Sequence, residues 1–84
     1  MTGEILLFGK LKDAFGQPSI EWPGSPTTVA ELRAGLIARN PDLADLLMPR
    51  AMRIAVNQEL VADEAGRRLS PGDEVALLPP LSGG

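Results

Sequence analysis

Short apolar runs alternate along this chain with polar punctuation, and the spacing of each run predicts its element. Glu4-Ile5-Leu6-Leu7-Phe8-Gly9 is an apolar run ended by glycine and predicts a strand buried on both faces. Lys10 to Gly16 reads as a polar connection carrying Leu11 and Phe15. Ser19-Ile20-Glu21-Trp22 then alternates as a strand with one wet face, and Pro23-Gly24-Ser25-Pro26 is a loop by composition.

At Thr28-Val29-Ala30-Glu31 the S/T-x-x-E pattern precedes an apolar stripe, so Thr28 and Glu31 are expected to satisfy each other's backbone N–H groups and start a helix. Val29, Leu32, Leu36 and Ile37 share one face of that helix, and Asn40-Pro41 stops it. Gly35 costs about 1 kcal/mol against alanine in a helix, which points to close approach to the sheet or to simple tolerance. Asn40-Pro41-Asp42 begins a second, short helix with Leu43, Leu46 and Leu47 inward and Pro49 closing it.

Met52, Ile54 and Val56 alternate with Arg53, Ala55 and Asn57 in a third strand, and Asn57-Gln58 turns it tightly into Glu59-Leu60-Val61. Asp63 to Arg68 is loop, Ser70-Pro71-Gly72-Asp73 is a turn, and Glu74-Val75-Ala76-Leu77-Leu78 is the last strand. The order is β-β-α-β-β-β, with no repeat and no internal linker. The first and last strands are apolar on both faces, so something must cover the second face. If Val75 and Leu77 face the helix, Leu78 faces away, joined by Phe8 if the first and last strands pair. Such a patch marks a binding surface, unless these are singly exposed apolar residues of the ordinary kind.

Composition narrows the chemistry. A chain of 84 residues forms one small domain, in the range that buries only about 60% of its unfolded surface, so a large internal active site is not expected. No stretch is long enough to span a bilayer, and Met1-Thr2-Gly3-Glu4 lacks the basic start of a signal peptide, which points to the cytoplasm. A net charge of −3 argues against a nucleic-acid partner. Lys10, Lys12, Arg33, Arg39, Arg50, Arg53, Arg67 and Arg68 read as solvated surface, apart from a few that meet an acidic partner. With no cysteine and no histidine, thiol nucleophiles, disulfides, the usual zinc sites and an imidazole base are all excluded. Asp63-Glu64 and Asp73-Glu74 read as turn and solubility residues. No metal site and no permanently bound cofactor are assigned.

The tail after the last strand carries the remaining signal. Pro79 and Pro80 favour a stiff, extended exit, and Leu81-Ser82-Gly83-Gly84 ends in two residues without a Cβ that can lie flat in a narrow tunnel. The terminal carboxylate of Gly84 is then the candidate reactive group, presented to chemistry done by another protein. The alternative for the tail alone is a frayed end. A terminal carboxyl has an ordinary pKa of roughly 3.3 to 3.7, so it is ionised and a poor electrophile at neutral pH and needs activation.

Pro71-Gly72-Asp73-Glu74-Val75-Ala76-Leu77-Leu78-Pro79-Pro80-Leu81-Ser82-Gly83-Gly84, with Asn57-Gln58-Glu59-Leu60-Val61, resembles the small, sulfur-carrying subunits of molybdopterin synthase. Leu7-Phe8 with Lys10-Leu11-Lys12, and Thr28-Val29-Ala30-Glu31-Leu32, extend the resemblance over nearly the whole chain. It implies an α+β, ubiquitin-like β-grasp fold: a mixed five-stranded sheet with one main helix and a short second helix, over residues 1–78, followed by a flexible tail over 79–84.

It also implies a non-catalytic carrier. An E1-like adenylyltransferase activates the Gly84 carboxylate with ATP, a sulfur donor protein supplies the sulfur, and the resulting thiocarboxylate enters the large synthase subunit. There, in a heterotetramer, it gives sulfur to precursor Z. The tail inserts through Pro79, Pro80, Leu81, Ser82 and Gly83, and docking uses Phe8, Leu60 and Leu78. Some relatives carry aromatics where Leu77 and Leu78 stand here, which puts the strength of docking at issue. Catalytic lysines would belong to the large subunit. Rival readings are the thiamine-pathway sulfur carrier, which tends to lack the Pro-Pro, another sulfur carrier, a ubiquitin-like protein modifier, and a non-catalytic β-grasp interaction domain.

Overall fold

The computed structural model describes residues 3–79. Five strands form one mixed sheet: β1 (Glu4–Leu7), β2 (Ser19–Glu21), β3 (Arg53–Val56), β4 (Glu59–Leu60) and β5 (Val75–Leu78), in the order β2-β1-β5-β3-β4. β1 and β5 run parallel at the centre and every other pairing is antiparallel. The helices are α1 (Gly9–Phe15), α2 (Val29–Arg39) and α3 (Ala44–Leu47), with a 3₁₀ turn over Pro41–Leu43 leading into α3. This is the ubiquitin-like β-grasp arrangement, with α2 as the long helix laid across one sheet face.

The alternation rule decides which side chains meet α2. Ile5, Leu7, Ile54, Val56, Val75 and Leu77 point inward and are buried, packed with Val29, Leu32 and Leu36 of α2. Leu47, Met52, Leu11 and Trp22 close the ends of this core, and Ile37 lies at its margin. The Asn57-Gln58 turn takes positive φ at both residues, 52° and 71°, which matches the right-handed twist of the β3–β4 hairpin.

Several expectations are corrected. The stretch expected as a polar connection, Lys10 to Gly16, is instead helix α1 as far as Phe15, with Gly16 as its C-cap. Leu11 and Phe15, four residues apart, place one face against the core, while Gly16 at φ 74° returns its N–H to the Lys12 carbonyl at 2.9 Å. β1 is buried on one face only, with Leu6 half-buried and Glu4 exposed, because the described residues place no second layer on the outer side. Gly35 accommodates the Pro23 loop and not the sheet: a Cβ there would stand 3.0 Å from Pro23 Cγ.

The cap of α2 forms with a shifted partner. Glu31 N–H donates to Thr28 Oγ1 at 3.2 Å as expected, but Glu31 Oε1 accepts from Thr27, from its N–H at 2.8 Å and its hydroxyl at 2.9 Å. Those bonds, the backbone one first, hold the Glu31 carboxyl below its ordinary pKa. Thr28 itself bridges to Arg68, which ties the start of α2 to the 63–69 loop.

The largest correction concerns Arg33, which is 5% exposed and no part of the solvated surface. One turn beyond Val29, it falls on the buried side of α2. Its guanidinium donates to the Leu47 carbonyl at 2.6 Å, the Met52 carbonyl at 3.1 Å and the Glu64 carboxylate. Glu64 is therefore a structural partner, whereas Asp63 is the expected turn residue, accepting from Gly66 N–H at 3.1 Å.

Candidate functional site

The outer face of the sheet is where the strand pattern leaves apolar side chains without a covering layer. Register pairs Leu6 with Ala76, Ala76 with Ala55, and Ala55 with Leu60, so one row crosses β1, β5, β3 and β4 with apolar character throughout. The next row toward the tail holds Leu78 beside Arg53. Phe8 follows directly on β1. Among the described residues Phe8 and Leu60 are the large apolar side chains most open to solvent, at 46% and 42%, and Leu78 is half-buried.

The three positions expected to dock a partner thus lie on one side of the sheet. Leu60 is set apart from Leu78 by the width of β3, and the small side chains of Ala55 and Ala76 leave a shallow floor between Leu6 and Leu60. Leu6, Ala55, Ala76 and Arg53 belong to this surface although none was singled out from the sequence. Part of the signal was available in the pairing rule, since Ala55 is the register neighbour of Leu60 and Arg53 of Leu78, while Ala76 and Leu6 continue the Ala55 row across β5 and β1.

The same sheet sets where the tail departs. β5 delivers Leu78 and then Pro79 at the end of the central strand, next to Phe8. Its start is fixed by a small polar network: Asn57 Oδ1 accepts from Glu74 N–H at 2.9 Å, and Asn57 Nδ2 donates to Asp73 Oδ1 at 3.1 Å. Asp73 Oδ2 accepts from Ser70 N–H at 2.8 Å. That backbone bond first, and the Asn57 bond second, lower the Asp73 pKa below the usual carboxylate value. Asp73 is a turn residue, as expected. Pro79 is described and exposed; Pro80, Leu81, Ser82, Gly83 and Gly84, expected to insert and to react, lie outside the described residues. Among the described residues no group of histidine, cysteine and acidic side chains is placed to hold a metal ion, and no helix is long and apolar enough to cross a membrane.

A curled mixed sheet grasping one long helix, with an open apolar outer face and its central strand running into the tail, defines the class of small ubiquitin-like β-grasp proteins. Comparison with known proteins narrows the class. The chain belongs to the ThiS family, whose model matches residues 5–84. It is 35% identical to the molybdopterin synthase sulfur carrier subunit of Chlamydomonas reinhardtii over 86 aligned positions that cover 100% of both chains. The subunit of the same name from Dictyostelium discoideum is 34% identical, over 96% of this chain and 94% of that one. Among solved structures, a chain in the complex of subunits 1 and 2 of molybdopterin-converting factor from Helicobacter pylori superposes with a TM-score of 0.68 at 30% identity, covering 100% of both.

Proposed function

We propose that this protein is the sulfur carrier of molybdopterin synthesis, and that Gly84 carries the sulfur. The observation that bears most weight is the continuity of the apolar outer face with the root of the tail, on a chain similar over its full length to named sulfur carrier subunits. A docking face beside the tail lets one partner hold the domain while it receives the terminus.

The chemistry follows from the carboxylate. Gly84 attacks the α-phosphorus of ATP within an E1-like adenylyltransferase, pyrophosphate leaves, and an acyl adenylate forms. Sulfur at the sulfide level (HS−), released by a donor protein, then attacks the acyl carbon and displaces AMP, leaving a thiocarboxylate. The sp² thioacid end enters the large subunit, its sulfur bonds to precursor Z, and water cleaves the acyl–sulfur bond, so that the sulfur stays on precursor Z and the carboxylate is regenerated; a dithiolene takes two such transfers. This chain contributes no acid or base to those steps; it supplies reach, orientation and a docking face. ATP is used by the activating enzyme and nothing is bound permanently. The large subunit, the adenylyltransferase and the donor are the partners, neither nucleic acid nor membrane is needed, and the cytoplasm is the compartment.

The test is reconstitution. The carrier, loaded as thiocarboxylate, is mixed with a candidate large subunit and precursor Z, and the dithiolene product is measured. Failure of the loaded carrier to yield product, with a large subunit active toward its own carrier, refutes the assignment.

A further inference from the structure

A second apolar feature lies around the corner from the sheet face, at the root of the tail. Phe8, Lys10, Leu11, Leu46, Ala51 and Pro79 line an open cavity of about 450 Å³ between the start of α1, α3 and the end of β5. Its floor is the buried Leu11 and the half-buried Leu46 and Ala51, and its rim carries Lys10, which has no ion pair among the described residues. Phe8 belongs both to this groove and to the sheet face, so the two surfaces are continuous.

We infer that this groove receives an apolar side chain, flanked by a carboxylate, from the large subunit that takes up the tail. The inference rests on the reading of the chain as a tail-inserting carrier. Its occupant follows from reach. The five residues beyond Pro79 span at most about 18 Å, so a protein that holds Gly84 in its active site must press close to the rim from which the tail departs. A groove floored by leucine and alanine at that rim is desolvated on docking, and filling it with an apolar side chain is the arrangement that leaves no void. The chain's own Leu81 is by its sequence a poorer occupant, because the consecutive Pro79 and Pro80 favour a stiff, extended backbone over a turn back onto the rim. Lys10 at the rim favours an acidic neighbour beside the inserted side chain and steers its approach.

The experiment fills the groove without touching the sheet face. Ala51→Leu adds bulk at a half-buried turn position. Its affinity for the large subunit, measured by titration calorimetry on the full chain, is expected to fall about tenfold or more with the melting temperature held. Lys10→Glu should weaken binding and flatten its dependence on salt. Leu60→Lys, across the sheet, reports on the docking reading separately. If Leu60→Lys abolishes binding while Ala51→Leu and Lys10→Glu bind like the parent, the groove proposal is overturned and the docking reading stands. If all three bind like the parent, both fall. The effect of Ala51→Leu should persist in a chain lacking residues 80–84; its disappearance there would assign the groove to the chain's own tail. A concentration-dependent dimer of the free chain that Ala51→Leu dissolves would assign it to a second copy, and either result overturns the proposal. Should Ala51→Leu unfold, intermolecular NOEs from the Leu46 methyl groups of the parent protein to partner side chains decide the matter, and their absence in the complex sinks it.

Discussion

Arg33 Nε and Nη2 both donate to the Glu64 carboxylate, one to each oxygen, and so join the buried side of α2 to the loop between β4 and β5. The same guanidinium takes up the Leu47 and Met52 carbonyls, which gives the end of α3 and the entry to β3 their hydrogen-bond partners. One side chain on α2 thus ties three other segments together: the 61–74 loop, the end of α3 and the entry to β3.

Removing Glu64 alone is expected to destabilise the fold through the cation it leaves behind. Glu64→Ala leaves a buried cation without its counter-charge, and broken buried pairs cost about 3 to 5 kcal/mol. Glu64 keeps 22% side-chain exposure, so water offsets part of this and about 2 to 3 kcal/mol is expected by urea unfolding. Arg33→Met with Glu64→Leu removes both charges but leaves the Leu47 and Met52 carbonyls without their donor, so the test of the pair is the coupling energy from the double-mutant cycle, which should be favourable. A Glu64→Ala loss below about 0.5 kcal/mol would show that the two carbonyls alone satisfy Arg33.

This pair shows where the sequence speaks and where it does not. The α2 stripe, the Asn57-Gln58 hairpin and the closing strand were legible because each rests on local spacing or turn chemistry. Arg33 stands at the i+4 position from Val29 and so belonged to the buried side by spacing, but arginine on a helix is ordinarily solvated and its carboxylate partner lies 31 residues away. α1 was hidden for a different reason. It has no side-chain cap, and its one face consists of Leu11 and Phe15 amid charges; Gly16 in the left-handed region was its only strong local mark. The outer face was half legible: Phe8 and Leu78 follow from apolar excess and Leu60 from the resemblance, whereas Leu6, Ala55, Ala76 and Arg53 need the strand order.

Acid should loosen the turn that starts β5. The Asp73 carboxyl titrates below its ordinary range in the folded chain, because Ser70 N–H and then Asn57 Nδ2 donate to the ionised form. A depressed folded value means that this contribution is complete above the unfolded aspartate pKa of about 3.9 and is lost as pH falls through the folded value. Asp73→Asn removes the titration, so its urea midpoint should decline less steeply than the parent's below about pH 4. Parallel acid limbs in the two proteins would remove Asp73 from the account.

Docking through the outer face can be separated from folding by choosing the charge to suit each neighbour. Phe8→Lys and Leu60→Lys alter exposed side chains and should leave the melting temperature near that of the parent. Leu78 lies directly across from Arg53, so Leu78→Glu forms an opposite-charge cross-strand pair worth roughly 0.2 to 1 kcal/mol, where lysine would repel. Each variant buries an unpaired or mispaired charge when the partner docks, and a loss of about tenfold or more in affinity for the large subunit is expected. Folded variants with parental affinity would exclude the outer face from docking.

The position of Gly84 is the strictest demand of the carrier reading. Reacting atoms must come within about 3 to 3.5 Å of one another, and one residue more or less moves the terminal carbonyl by roughly 3.3 Å or more. Deleting Gly84, or adding one residue after it, is therefore expected to abolish adenylation and sulfur transfer. The melting temperature should hardly move, since the core is formed by residues 5–77. With activating enzyme, ATP and a sulfur donor, the intact chain should gain the mass difference of one sulfur for one oxygen on its C-terminal peptide. Oxidation of Met1, Met48 or Met52 produces a nearly equal shift, so the peptide must be sequenced and the product shown to react as a thioacid. A lengthened chain that transfers sulfur as well as the intact one, with its extra residue still attached, would place the reactive group elsewhere than at Gly84.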